Sequence, residues 1–226
     1  MKGVITAARL VAAKDLRIEL RTREITTTTT LFAVLVVVLS SLSFYLDQVI
    51  ARRLAPGVLW VSVAFSGVLA VGRAWAREAE QDAFRALLLA PLPRAGIFLG
   101  KTAAVLSFLL VVEAVVVPIV ALLFHVALPP VLGPLALLLF LGTLGFAAAG
   151  TLFGAMTVKT RARDLALSVV LFPLVAPCLL AGVVATRELF GGAPLSEVLA
   201  WARILLAADI LFVTAGLVLF PTLAAD

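Results

Sequence analysis

Apolar positions in this chain run on in long blocks, and the ionisable residues are crowded into the gaps between them. Six nearly uncharged stretches stand out, at residues 25–46, 54–72, 102–125, 131 or 135 to 158, 165–186 and 204–225. A run of 18 or more apolar residues has one usual home, the hydrocarbon of a bilayer, where a helix satisfies all of its own backbone polar groups. The pattern predicts an all-α polytopic membrane protein with six transmembrane helices. Thr26, Thr27, Thr28, Thr29 and Thr30 open the first span, where their hydroxyls can bond back to helix carbonyls or face neighbouring helices. Pro56-Gly57 marks the entry of the second, close to Trp60, since proline is tolerated in a first turn. The third contains Glu113 and Pro118, and Pro129-Pro130 then makes a tight turn. Pro173 and Pro177 are expected to kink the fifth, a polar loop with Gly191-Gly192 and Pro194 follows, and the sixth holds Asp209.

Two segments fit neither a span nor a tight turn. Residues 3–24 set Val4, Ala8, Val11 and Ala12 against Arg9, Lys14 and Arg17 at helical spacing. This reads as an interfacial helix with its polar side towards the cytoplasm. Residues 73–94 pass from Glu78, Glu80, Gln81, Asp82 and Arg85 to Leu87, Leu88 and Leu89, and then to Pro91 and Pro93. This reads as a short cytoplasmic helix between spans two and three, too long for a plain connection and suited to docking. The chain is thus expected to be one transmembrane domain over 1–226: interfacial helix 1–24, spans one and two 25–72, coupling segment 73–96, spans three to six 97–226.

Composition agrees with the pattern and narrows it. Hydrophobic residues make up 63% of the 226 and charged residues 14%, where soluble domains carry about one quarter charged. Six spans leave little chain for a soluble catalytic domain. The net charge of +5 does not point to nucleic acid, because the basic residues sit at span ends and form no single patch. Fourteen fall on one side: Lys2, Arg9, Lys14, Arg17, Arg21, Arg23, Arg73, Arg77, Arg85, Arg94, Lys101, Lys159, Arg161 and Arg163. Four fall on the other: Arg52, Arg53, Arg187 and Arg203. The positive-inside rule then places both termini in the cytoplasm. Cys178 is a lone cysteine inside a span and reports nothing about redox compartment. The N-terminus, charged throughout, is not expected to be a secretory signal.

Few residues offer chemistry. Glu113, mid-span, admits two readings, a polar point on a substrate path or an interhelical hydrogen bond. Asp209 is expected near the outer end of span six, paired with Arg187 or Arg203. His125, the single histidine, is a haem-ligand candidate or a polar end-group. Gly100-Lys101-Thr102 is not a phosphate loop: the pattern needs glycine at Ala95, and the lysine introduces a span instead of following a strand. No catalytic residue and no metal ligand set is read. Gly150 and Gly154 form a G-x-x-x-G pair, expected to pack inside the bundle more than to dimerise it.

The order of these pieces resembles the type-2 ABC exporter membrane subunits. Arg77-Glu78-Ala79-Glu80, then Leu87-Leu88-Leu89-Ala90-Pro91-Leu92-Pro93 and Leu99-Gly100-Lys101, is similar to the coupling-helix signature of that superfamily. Four further pieces resemble the heme exporter protein B (CcmB) family. They are Lys14-Asp15-Leu16-Arg17-Ile18-Glu19-Leu20-Arg21, Pro56-Gly57-Val58-Leu59-Trp60-Val61, Leu171-Phe172-Pro173-Leu174-Val175-Ala176-Pro177 and Asp209-Ile210-Leu211-Phe212. Asp82-Ala83 stand where that pattern has glycine, and the C-terminus lacks the family's short acidic tail. The resemblance implies a permease in the bacterial cytoplasmic (inner) membrane, non-catalytic by itself, within an ATP-driven haem-handling complex for cytochrome c maturation. Glu78, Glu80, Asp82, Leu87, Leu88, Leu89 and Pro91 would couple it to an ATP-binding cassette subunit (CcmA-like). The other implied partners are a haem-handling membrane protein (CcmC-like), a small single-span protein (CcmD-like) and a haem chaperone (CcmE-like). Haem would be cargo and not a covalent cofactor, and ATP would be bound by the partner. Alternatives are a type-2 ABC permease for a drug, lipid or glycan, or a scaffold or secondary transporter without an ATPase.

Overall fold

The computed structural model describes residues 2–44, 47–80, 86–87, 89–157 and 163–223. Seven long helices follow one another among them: α1 Lys2–Thr22, α2 Glu24–Ser43, α3 Gln48–Glu80, α4 Arg94–Leu123, α5 Leu132–Thr157, α6 Arg163–Gly191 and α7 Leu195–Leu223. Six of them, α2 to α7, are long and apolar enough to cross a membrane. The fold class expected from the hydropathy pattern is therefore observed. Six crossings bring both chain ends to one end of the bundle, which also holds the C-terminal end of α3 and the start of α4.

Several helix ends lie well outside the uncharged runs, each for a local reason. α3 begins at Gln48 because Asp47 caps it: its Oδ1 accepts the backbone N–H groups of Val49 and Ile50, both at 3.0 Å. Pro56 consequently stands about two turns inside the helix and not in its first turn. The other end of α3 continues past Arg73 to Glu80, so residues 73–80 extend span two and do not start a separate coupling helix. Arg73 and Arg77 do not end the helix because both find carboxylate partners, described below. α4 starts at Arg94, after Pro93, and not at Thr102. α6 runs unbroken through Pro173 and Pro177, and α7 begins at Leu195, ahead of the expected start at 204.

Between lipid-embedded helices the hydrophobic effect supplies little, since lipid tails are as apolar as leucine; close packing holds the bundle. α5 is the most buried of the spans, touching α3, α4, α6 and α7. Its small residues make this possible. Gly142 of α5 and Gly182 of α6 flank the buried Trp60 ring, and a methyl group on either would overlap it. The Trp60 indole N–H donates to the Thr186 hydroxyl at 2.9 Å, so the ring's one polar group is satisfied inside the bundle. Gly150 and Gly154 lie against Val71 and Trp75 of α3. This G-x-x-x-G pair packs within the bundle, as expected.

Candidate functional site

α1 lies along the first half of α4 because α4 presents almost no side chain where they touch. A Cβ on Gly96 would stand 2.6 Å from that of Ala7, and one on Gly100 2.6 Å from the Ala8 carbonyl oxygen. The stripe of α1 buried by its packing is Ala7, Val11, Asp15 and Glu19, an i, i+4 series that is half acidic. The expected residues Val4, Ala8, Val11 and Ala12 are buried or half-buried on this side, and the buried stripe continues through Asp15 and Glu19, which turn away from solvent. Ile5, Leu10 and Leu20 are exposed instead, on the outside of α1.

The buried carboxylates meet cations from α3 and α4. Lys101, 3% exposed at its side chain, reaches the Asp15 carboxylate at 2.7 Å and also pairs with Glu78. Glu78 accepts Lys14 on the same oxygen at 2.7 Å, and Lys14 lies 3.2 Å from Asp15. Lys101 further stands 5.8 Å from the centre of the Trp75 ring. Burial works against the Lys14 ammonium, but its hydrogen bond to Glu78 and the neighbouring carboxylates outweigh it and raise Lys14 above its ordinary pKa.

A second group adjoins the first. One Glu19 oxygen accepts the Thr26 backbone N–H at 2.8 Å and its hydroxyl at 2.9 Å. Glu19 thereby caps the start of α2, where the helix dipole favours a negative charge. Its other oxygen lies 3.4 Å from Arg77, and Glu24 contacts Arg73 at 3.2 Å and Arg77 at 3.5 Å. Arg23, at φ 54, makes the left-handed corner between α1 and α2 that allows this. Two sets of ion pairs therefore stand at this end, Lys14 and Lys101 with Asp15 and Glu78, and Arg73 and Arg77 with Glu19 and Glu24.

The expected coupling residues divide. Glu78 is not on a docking surface: it is 4% exposed and committed to Lys14 and Lys101. Its strongest partner lies on α4, so it belongs to the stems of the 81–93 connection. Glu80 is the last residue of α3, and nothing is described of its side chain. Asp82 and Leu88 lie outside the described residues. Leu87 packs partly against the core, Leu89 is 80% exposed, and Pro91 is exposed.

Glu113 accepts the Thr143 hydroxyl of α5, so the interhelical hydrogen bond is its observed geometry. It borders a cavity of about 260 Å³ walled by apolar side chains, among them Leu110, Val117 and Leu139. Asp209 is not paired with Arg187 or Arg203. With α7 starting at Leu195 it sits mid-helix, buried against Gly145 of α5, and its Oδ2 has no hydrogen-bond partner. Lys101 lies within a helix, in keeping with the rejection of a phosphate loop. His125 adopts φ 55 in the turn after α4. It lines an open recess of about 1010 Å³ at the opposite end of the bundle, with Arg52, Arg53 and Arg187.

Sequence reasoning missed the pairing of Asp15 and Glu78 with Lys101, and of Glu19 with Arg77. Two signals were available: a second G-x-x-x-G pair at Gly96 and Gly100, and the i, i+4 series from Ala7 to Glu19.

Six apolar helices closed on glycine contacts, with an N-terminal helix tied by ion pairs to both stems of one connection, define a polytopic integral membrane protein. A family model described as CcmB protein matches residues 6–225. Curated relatives agree. Heme exporter protein B of Paracoccus denitrificans is 35% identical over 156 residues, 69% of this chain and 71% of the relative. Heme exporter protein B of Rhodobacter capsulatus is 29% identical over 219 residues, 96% and 97% of the two chains. That of Pseudomonas aeruginosa is 27% identical over 199 residues, 88% of each. The chain belongs to the CcmB protein family.

Proposed function

We propose that this chain is the membrane permease subunit of an ATP-driven complex that handles haem for cytochrome c maturation, in the bacterial inner membrane with both termini cytoplasmic. Family membership supports the cargo, and the excess of basic residues at the end carrying both termini supports the orientation. The observation that carries the mechanism is the Lys101–Glu78 pair, which joins α3 and α4, the two stems of the 81–93 connection. An ATP-binding cassette subunit (CcmA-like) docks on that connection through groups such as Leu89 and Pro91. Its stroke reaches α3 and α4 together, because the pair holds them as one body, and passes to α1 through Asp15 and Lys14. ATP binding and hydrolysis belong to the partner. CcmC-like, CcmD-like and CcmE-like proteins complete the assembly and receive the haem.

The test is ATP turnover in the assembled complex. Leu89→Lys should lower turnover several-fold while the subunit stays membrane-inserted, since Leu89 is exposed and its loss removes no internal packing. Undiminished turnover in this variant would show that the partner grips elsewhere.

A further inference from the structure

Unpaired arginines occur at both ends of the bundle, and at one end they converge. At the end carrying the termini, Lys14, Arg73, Arg77 and Lys101 are ion-paired, while Arg9, Arg17, Arg21 and Arg23 lie along α1 and its corner with no ion pair among the described residues and line no common recess. At the opposite end, Arg52 and Arg53 from the start of α3 and Arg187 from the end of α6 converge on one recess with His125. None of these three guanidiniums is in an ion pair among the described residues, and Glu188 is the one acidic group lining the recess. This is also the face on which basic residues are scarce: of the four assigned to it, three line this recess.

The recess has room and apolar walls as well as charge. Its volume of about 1010 Å³ lies at the top of the range for small-ligand cavities, about 300–1,000 Å³. Phe190 and Pro56 stand beside the guanidiniums. Arginine is the side chain best shaped to take a carboxylate or phosphate through two parallel N–H donors. His125 is held in the left-handed region, a conformation that costs a non-glycine residue about 1 kcal/mol or more and that recurs at ligand sites.

We propose that this recess binds an amphiphile bearing two acid groups, its acids held by Arg52, Arg53 and Arg187 and its apolar body against Phe190 and Pro56. Two sources share that chemistry: haem, through its pair of propionates, and a diphosphate lipid such as cardiolipin. The haem assignment rests on the function proposed above; the acid-binding site does not. With haem as occupant, His125 supplies the imidazole at the rim.

The experiment uses the full chain in nanodiscs and three probes: haemin, the dimethyl ester of haemin, and cardiolipin. Haemin is expected to bind with a Soret shift, the ester at least tenfold more weakly, and R52A/R53A/R187A to lose the difference between them. All three positions are exposed, so the variant should insert and migrate as the parent does, and R52K/R53K/R187K, which keeps the charge, should recover part of the affinity. Cardiolipin that binds while haemin does not, and is lost in the alanine variant, keeps the site and overturns the haem reading alone. Equal binding of each acid probe to parent and alanine variant, or no binding of either, overturns the site.

Discussion

Lys101 shows how much a single residue can hide. Read along the chain it is one of fourteen basic residues on the positive side, at the mouth of a span. In space it is among the most deeply buried charges, set between Asp15 and Glu78. Removing one partner from such a cluster leaves uncompensated buried charge and costs about 3–5 kcal/mol. Lys101→Met should therefore lower the thermal midpoint of the solubilised protein strongly. Adding Glu78→Gln to it should recover part of the loss, because Lys14 is then left facing one carboxylate instead of two. Coincident melting curves for K101M and parent would mean that the cluster contributes nothing. The sequence could not disclose this pairing. Asp15, Glu78 and Lys101 are far apart along the chain, and each alone looks like a solvated charge.

Among the elements, the spans were legible and their ends were not. Twenty apolar residues announce a helix whatever surrounds them, so all six were readable from hydropathy. Their true limits depend on polar groups that hydropathy counts against a helix. Asp47 starts α3 before its uncharged run, and Glu19 and Glu24 let Arg73 and Arg77 carry it on to Glu80. The apolar face read for α1 was incomplete for the same reason, since it left out the buried Asp15 and Glu19. The contact of α1 with α4 instead follows from Gly96 and Gly100. Replacing both with leucine should push α1 off α4 without removing a charge. The measurement is maleimide labelling of Val11→Cys in a Cys178→Ser background, which should be slow in the parent bundle and at least tenfold faster with G96L/G100L. Unchanged labelling would mean that the ion pairs alone hold α1.

For the whole molecule, an even number of crossings sets both termini and the 81–93 connection at one end, and charge bias decides which side of the membrane that is. Reporter fusions at the N- and C-termini should both read cytoplasmic, and Leu89→Cys should label from the cytoplasmic side only. Labelling from the periplasm would invert the molecule and remove the docking proposal with it. The family resemblance was also legible, because it rests on short ordered pieces spread over nearly the whole chain. What stayed out of reach was the distribution of roles among the matching residues. Glu78 lies in the coupling signature yet faces inward, whereas Leu89 in the same signature faces out.

The even balance of the ion-pair sets has an electrical consequence. Shifting one elementary charge through a membrane potential of 100 mV involves about 2.3 kcal/mol, but a rigid body whose charges cancel does no such work. Each of the two ion-pair sets sums to zero, so a displacement of either set as a unit along the membrane normal would carry no net charge through the field.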